Sequence, residues 1–425
     1  MKRAIEILFY VLLFSFVLPT GTIFHIPLKA LLSALIIFLF ILYRPRFRLD
    51  NLTKGFLFVI LGLFIWSVIA ILNGYLSTAA SFSVSFISLL LTVWIGYELH
   101  EYDIVNAKKT LKMVSIVSII IVLNAVVLSL LMSFGVDVIA FIKTVFNYEP
   151  ITIALDLGGL MLFRVQMPNN TIPFIWLTYS LMSHQRIGYK IFTVLMVGLL
   201  TAITFSRVLI VEFIGIILAS FILKLFQNTK HTKDQAIGIG FISVVIAIAL
   251  IVLVVNFGST IFDYIEKRFD SNLTQYSDSF REIQKEKLLE GFENSVLFGH
   301  GAGSYLDNYL RSTDVPYTYE KEYISFLYQF GIFGFIWIIG GTMLCFALLC
   351  LRKTDNNIIR WMAAISLIVW AIKPFFNPSF LSSNSGIIIL SIYLYSHQER
   401  RCEEIVSLPV VSANQQLSPQ TSETK

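Results

Sequence analysis

The sequence has little charge, few cysteines and no cluster of metal-binding side chains. Only 14% of its 425 residues are charged, whereas 56% are hydrophobic, and the mean hydropathy is +0.76. This composition excludes an ordinary water-soluble enzyme, because a soluble domain needs a charged, wetted surface. Cys345, Cys350 and Cys402 lie in or near predicted cytoplasmic segments, where thiols stay reduced. We therefore expect neither a disulfide framework nor a metal centre.

Long apolar runs dominate the sequence instead. A hydrocarbon layer of about 30 Å requires about 20 apolar residues per helix, because every backbone N–H and C=O must be paired within the segment. We predict an all-α, polytopic membrane protein with about twelve transmembrane helices. The predicted spans are residues 5–20, 27–43, 55–73, 80–98, 113–133, 171–184, 188–204, 208–226, 236–257, 322–351, 358–373 and 381–396.

The basic residues predict the orientation of these spans. Lys and Arg resist translocation and gather on the inner side of a membrane. Most of the 32 basic residues fall in alternate connections, whereas the connections at 21–26, 75–79 and 375–382 contain none, so both termini are predicted to be cytoplasmic. Residues 1–397 should form the membrane domain, and residues 398–425 a polar, disordered tail. The net charge of +5 suits anionic lipid headgroups and does not indicate a nucleic-acid partner.

One outer connection, residues 258–321, is much longer than a turn and predicts a large extracytoplasmic loop. It holds seven basic and eleven acidic residues. From Ser279 to Glu293, apolar residues recur at helical spacing among the charges. This pattern predicts an amphipathic helix that lies on the membrane surface.

A glycine-rich run follows that helix and contains His300, Gly301, Gly303 and Tyr305. Glycine permits a positive φ and lets a ligand or another chain approach the backbone closely. A phosphate cradle and a plain turn between two helices both fit, because the run does not follow a strand as a P-loop would. We take Gly301, Gly303 and Tyr305 as candidate substrate-binding residues.

Two carboxylates, Glu320 and Glu322, precede the next apolar run. Either one could cap a helix by meeting the positive end of its macrodipole. The alternative is a general base at the membrane surface, made more basic by partial desolvation. His300 is a third candidate for the base.

Three cations, Arg164, Arg207 and Lys373, lie near predicted outer ends of spans, and a fourth, Arg281, lies in the predicted amphipathic helix. A cation near hydrocarbon is costly unless an anion accompanies it. Each could snorkel or pair with a carboxylate, or together they could hold a diphosphate, since a guanidinium group binds two phosphate oxygens at once. Asn169, close after Arg164, is a further candidate for substrate binding.

Four segments resemble the O-antigen ligase and polymerase superfamily, the WaaL and Wzy type of membrane glycosyltransferase. Residues 164–170 are similar to its arginine and Pro-Asn pair ahead of a span, and residues 206–207 to its Ser-Arg pair between spans. Residues 281–304 resemble its arginine, helix and Gly-His/Glu-Gly-x-Gly turn. Residues 320–334 resemble its Leu-x-x-Leu-x-x-x-Gly-Ile-x-Gly signature. The resemblance implies a GT-C-like membrane fold.

One position departs from the ligase pattern. Ligases of the family generally carry a His-Asn pair eleven residues before the first signature glycine, Gly331, where this chain has Glu320-Lys321. Carboxylates there are more similar to polymerases of oligosaccharide repeat units. The resemblance therefore implies a Wzy-like polymerase rather than a ligase.

Such a protein is a metal-independent glycosyltransferase without a cofactor, because the lipid diphosphate is itself a competent leaving group. The resemblance implies an undecaprenyl-pyrophosphate-linked oligosaccharide as substrate and O-antigen, capsule or exopolysaccharide as product. The reaction is expected at the outer face of the bacterial cytoplasmic membrane, with the lipid bilayer and a chain-length regulator protein as partners. An O-antigen ligase, or a flippase or transporter of the same lipid-linked oligosaccharide, are the alternatives.

Within this reading, the cations and carboxylates have separate roles. Arg164, Arg207 and Arg281 are expected to stabilise the departing lipid diphosphate. Glu320 or Glu322 is expected to orient the attacking sugar hydroxyl.

Overall fold

The computed structural model describes most of the chain as a helical bundle with one β-hairpin. The described residues are 1–20, 23–24, 26–44, 49–146, 148, 151–156, 161–183, 185–204, 206–225, 271–310, 315–351, 357–375, 380–381 and 383–407. The helices are α1 (Lys2–Phe14), α2 (Leu28–Tyr43), α3 (Asn51–Leu72), α4 (Leu76–Glu101), α5 (Ala107–Ser133), α6 (Val138–Phe146), α7 (Ile172–Met182), α8 (Ile187–Thr204), α9 (Arg207–Leu225), α10 (Ser271–Asn294), α11 (Glu322–Gly334), α12 (Gly341–Leu351), α13 (Asn357–Ile372) and α14 (Ser383–Ser407). A π-helical segment, Phe335–Gly340, joins α11 to α12.

Five helical segments in the described part are long and apolar enough to cross a membrane. They are α3, α4, α5, α8 and the continuous segment Glu322–Leu351. This finding supports the predicted polytopic helical membrane protein. Other helices lie in the remaining predicted spans, except that the predicted span 236–257 lies outside the described residues. The total of twelve therefore stays a prediction.

A two-stranded antiparallel hairpin is the exception to the all-α prediction. Strand β1 (Ile151–Asp156) pairs with β2 (Met161–Gln166), and Arg164 lies opposite Ile153. A Gly158-Gly159 pair stands between the strands in the sequence, and such pairs are typical of hairpin turns. Each strand has only six residues, which is too short to stand out among apolar runs of membrane length.

Two helices differ in length from the prediction. The helix in the long connection begins at Ser271, earlier than the predicted Ser279, and ends at Asn294. Helix α14 continues to Ser407, beyond the predicted end of the membrane domain at residue 397, and the division into a membrane domain and a tail stays a prediction. Residues 408–425 lie outside the described part of the chain.

Aromatic side chains hold α4 against the first half of α11. The buried ring of Phe82 contacts Phe326, Phe330 and Tyr317, with ring centroids 5.4–6.3 Å apart. Edge-to-face pairs of this kind each contribute about 0.5–1.5 kcal/mol beyond the area they bury. These contacts fix the position of α11, which carries the candidate site.

Candidate active site

Helix α11 is broken at Gly331. This residue has φ +62° and ψ −173°, a conformation that glycine adopts readily and other residues adopt at a cost. The break deprives carbonyls before Gly331 and N–H groups after it of their helical partners. Inside a membrane such groups must find other partners within the protein.

The glycine-rich run supplies those partners. We call residues 296–304 the glycine turn. Its N–H groups donate to carbonyls before the break, and its carbonyls accept from N–H groups after it. The bonds are His300 N to Tyr328 O (3.1 Å), Gly301 N to Gln329 O (2.8 Å), Ile332 N to Val296 O (2.9 Å) and Phe333 N to Leu297 O (3.1 Å).

The glycines of this turn leave no room for side chains. A Cβ atom at Gly301 would overlap the backbone of Ala70 in α3, and one at Gly303 would overlap the carbonyl of Thr78 in α4. Gly301 has φ +101° and Gly303 has φ +77°. The turn is therefore packed tightly between α3, α4 and α11.

The amides of Gly301 and Gly303 have acceptors within the protein, and substrate binding by Gly301, Gly303 and Tyr305 stays a prediction. The amide of Gly301 donates to the carbonyl of Gln329, and the amide of Gly303 donates to Gln329 Oε1 at 3.1 Å. The buried Gln329 side chain in turn donates to Ser325 Oγ (2.9 Å) and Tyr317 O (3.3 Å). Of the two readings of the sequence, the docked turn fits these contacts.

His300 is anchored beside the turn. Its Nε2 lies 2.9 Å from the carbonyl of Gly291 in α10, and its ring stacks on Tyr328 with centroids 4.5 Å apart. Its carbonyl accepts from Asn73 Nδ2 at 3.0 Å. These contacts give His300 a packing role between α10 and α11, in addition to its predicted role as a base.

Two tyrosines of the long connection, Tyr317 and Tyr319, are buried, and Tyr305 is half-buried. Tyr319 is fully buried, and its hydroxyl accepts from the N–H of Leu306 at 2.8 Å. Burial raises the pKa of Tyr319 to about 12, so the hydroxyl stays neutral. The carbonyl of Tyr305 accepts from the hydroxyls of Tyr75 (3.4 Å) and Tyr328 (3.3 Å).

Arg281 and Glu320 meet although 39 positions separate them in the sequence. Arg281 Nε contacts Glu320 Oε2 in an ion pair between α10 and the segment just before α11. The side chains are 39% and 18% exposed, so water reaches the cation more than the carboxylate. One predicted phosphate-binding cation and one predicted base are thus in direct contact.

Glu322 performs a different structural task. It is only 3% exposed, and its carboxylate accepts from the N–H groups of Phe380 (2.9 Å) and Leu381 (3.3 Å). It also lies in the first turn of α11, where a carboxylate meets the positive end of the helix macrodipole, although the N-cap residue makes no side-chain hydrogen bond. Glu322 thus holds the segment ahead of α14, and its role as a base stays a prediction.

Lys373 also has a carboxylate partner, which the sequence analysis missed. Lys373 Nζ lies 2.9 Å from Glu212 Oε2, and the side chains are 8% and 12% exposed. Glu212 lies on α9, about 7.5 Å along the helix axis from Arg207. An acidic residue within an apolar run was the available signal, because such a residue usually faces a partner or a cavity.

This ion pair lines a cleft between α7, α9 and α13. The cleft is mostly apolar and is partly open to solvent. A second, mostly apolar cavity lies between α5, α7, α13 and α14. The two share Ile175, Thr178, Met362 and Ser366 in their walls. A mostly apolar cleft with a few polar groups is typical of a ligand site.

Contacts through Tyr323 link the two ion pairs at one end of the bundle. Tyr323 lies in the first turn of α11, close after Glu320, and its hydroxyl donates to the carbonyl of Ala371 at 2.6 Å. Ala371 lies two residues before Lys373. The structure thus places four site residues at the same end of the helical bundle: Arg281, Glu320, Glu322 and Lys373.

Three other candidates, Asn169, Arg207 and Arg164, lie in separate elements of the fold. Asn169 is buried, and its Nδ2 donates to the carbonyls of Phe16 (3.2 Å) and Val17 (2.8 Å), which fastens α7 to the end of α1. Arg207 is the first residue of α9, and Arg164 lies on β2. The structure describes the backbone of these two arginines, and their substrate contacts stay predictions.

Part of the chain matches a protein-family model, whereas a comparison with curated proteins gives no match. Residues 191–339 match a family model described as O-antigen ligase, Wzy_C. The matched region extends from α8 into the π-helical segment and contains Arg207, Arg281, Glu320 and the glycine turn. Members of this family are glycosyltransferase-like enzymes that act on lipid-linked glycans. The match covers about a third of the chain and supports a relationship to the O-antigen ligase and polymerase superfamily, without distinguishing a polymerase from a ligase.

Proposed function

We propose that the protein is a polymerase that joins polyprenyl-diphosphate-linked oligosaccharide repeat units at the outer face of a bacterial cytoplasmic membrane. The observation that carries this proposal is the ion pair between Arg281 and Glu320. The reaction needs a cation for the departing diphosphate and an acceptor for the proton of the attacking hydroxyl. This pair supplies both groups in contact with each other.

In the proposed reaction, the donor diphosphate replaces Glu320 as the partner of Arg281. A diphosphate carries more negative charge and more acceptor oxygens than a carboxylate, so it competes well for a guanidinium group. Glu320 is then free to accept a hydrogen bond from the attacking hydroxyl. The new glycosidic bond forms at the anomeric carbon of the donor glycan, while the bond from that carbon to the diphosphate breaks.

Arg207 and Arg164 are proposed as further cations for the leaving diphosphate, and His300 as the alternative base. Glu322 is a less suitable base than Glu320, because two backbone N–H groups already occupy its carboxylate.

A ligase is the second candidate, because the matched family model is described as O-antigen ligase and does not distinguish the two activities. Ligases of the family generally carry a His-Asn pair where this chain has Glu320-Lys321. This difference favours the polymerase. The two differ in the acceptor: a polymerase extends a lipid-linked repeat unit, whereas a ligase transfers the glycan to another acceptor.

The test uses the purified full-length protein in vesicles that contain lipid-linked repeat units. A ladder of lengthened glycans on gel electrophoresis is expected from a polymerase. Transfer only to an added glycolipid acceptor would identify a ligase instead. Movement of unchanged substrate across the vesicle membrane, with no new glycosidic bond, would identify a transporter.

Variants then test the assigned residues. Arg281→Ala, Arg207→Ala and Glu320→Gln are each expected to slow chain extension on the order of 100-fold or more. Lys285→Ala is the matched control, because Lys285 lies one turn further along α10 in an exposed ion pair with Glu282. Full activity in the Arg281→Ala and Glu320→Gln proteins would contradict the proposed roles.

A further inference from the structure

The cleft between α7, α9 and α13 holds an unusual set of polar groups for its apolar walls. Glu212 and Lys373 are the charged side chains that line it within the described part of the chain. Trp370 and Thr171 line the same cleft. A buried ion pair gives little net stability, because both charges lose their hydration. Its presence here calls for an explanation other than stability.

Trp370 provides a second, independent observation. It is only 5% exposed, and its Nε1–H has no hydrogen-bond acceptor among the residues that the structure describes. A buried N–H group without an acceptor is unfavourable, and buried indole groups usually have a partner. Trp370 lies about one helical turn from Lys373, so a single ligand can reach both donors.

The geometry points to an anion site in this cleft that takes the diphosphate of the lipid-linked donor, with Glu212 as the counter-ion that Lys373 exchanges for it. The indole N–H of Trp370 is the second donor to the diphosphate. This inference rests on the proposed function for the identity of the anion. Neither Glu212 nor Trp370 is among the residues that the sequence analysis assigned to the reaction.

Glu212 has two effects in such a site. Without donor, it neutralises Lys373, which would otherwise be an unpaired cation in an apolar cleft. With donor bound, its charge repels the diphosphate and so weakens binding. Glu212 therefore limits how tightly the protein retains the lipid diphosphate that each reaction releases. It is a positioning and specificity residue rather than a catalytic one.

The test measures binding of farnesyl diphosphate to the purified full-length protein in detergent. Glu212→Gln is expected to bind this probe at least about tenfold more tightly than the wild type, because a like charge is removed. Lys373→Met should abolish binding, Lys373→Arg should retain it, and Trp370→Phe should weaken it. Glu282→Gln, which removes an exposed carboxylate on α10, is the matched control and should bind like the wild type.

Three further ligands identify what the site recognises. Farnesol tests the apolar chain alone, inorganic diphosphate tests the anion alone, and vesicles of phosphatidylglycerol test an ordinary anionic lipid headgroup. Farnesyl diphosphate should bind more tightly than any of them, and Glu212→Gln should strengthen binding of both diphosphates but not of farnesol. Equal binding of phosphatidylglycerol would overturn the inference in favour of a general lipid contact.

A purely structural ion pair predicts a different pattern. In that case Glu212→Gln would lower the midpoint of thermal unfolding without improving affinity, and the inference would be wrong. The proposed function can fail separately: tighter binding in Glu212→Gln, together with no glycan extension by the wild type, would support the anion site and reject the polymerase. Glycan extension without any change of affinity in Glu212→Gln would reject the anion site alone.

Discussion

The glycine turn and the cleft both place polar groups among apolar helices, but they differ in whether those groups have hydrogen-bond partners within the protein. Around the break at Gly331, exposed carbonyls and N–H groups of α11 are matched by groups of the turn. In the cleft, a buried indole N–H lacks an acceptor in the described structure, and a buried cation is held by one carboxylate. The turn is complete by itself, whereas the cleft can gain bonds from a ligand.

This difference separates groups that hold the fold from groups that are available for binding. Polar groups whose partners lie within the protein stabilise a single arrangement, and their loss leaves buried groups unpaired. Polar groups that lack such partners add little to stability and are retained for another reason, of which ligand binding is the common one. Substitutions in the two regions should therefore affect stability and activity differently.

The largest effect is expected from Gly301→Ala in the glycine turn. The new Cβ combines a strained φ with an overlap against the backbone of α3, so stability should fall by about 3 kcal/mol or more. Folded yield and the midpoint of thermal unfolding in detergent measure this loss. Gly74→Ala is the control, because Gly74 also has a positive φ, +90°, but has open space around its Cβ position. Similar losses in both variants would show that the tight packing of the turn contributes nothing.

A smaller loss is expected from Gln329→Leu. This change keeps the approximate side-chain volume but leaves the N–H of Gly303 without its acceptor, at a cost of about 1–3 kcal/mol. Thermal unfolding of the purified variant provides the measurement. An unchanged unfolding midpoint would mean that the turn does not depend on the hydrogen bonds of Gln329.

The smallest effect on stability is expected in the cleft, from the double variant Glu212→Leu/Lys373→Met. Replacing a buried ion pair by apolar residues is often neutral or stabilising, so stability should stay within about 1 kcal/mol of the wild type or rise. Glycan extension should nevertheless be lost, because the cleft no longer holds a cation. The single Lys373→Met variant is the comparison and should lose about 3–5 kcal/mol, since Glu212 then remains buried without a partner. A double variant as unstable as the single one would place the ion pair among the groups that hold the fold.

Much of the helical architecture could be predicted from the sequence, since apolar runs of membrane length leave a backbone little choice but to form helices. The helix in the long connection was predicted from its periodicity and is confirmed, with an earlier start at Ser271. The hairpin that carries Arg164 was missed, because six-residue strands give a weak signal beside long apolar runs. Arg281 and Glu320 were each predicted as site residues, but their contact was not. A sequence does not show which distant residues meet.

The sequence by itself determined the membrane-type composition, the apolar helices and the residue types from which the site is built. The tertiary structure decided which of those residues are in contact. Arg281 forms an ion pair with Glu320, Lys373 forms one with Glu212, and Glu322 accepts hydrogen bonds from the segment before α14. The physical reason is that helix formation depends on local backbone hydrogen bonds and burial, which the local sequence encodes. The pairing of charges depends instead on how helices far apart in the chain pack against one another.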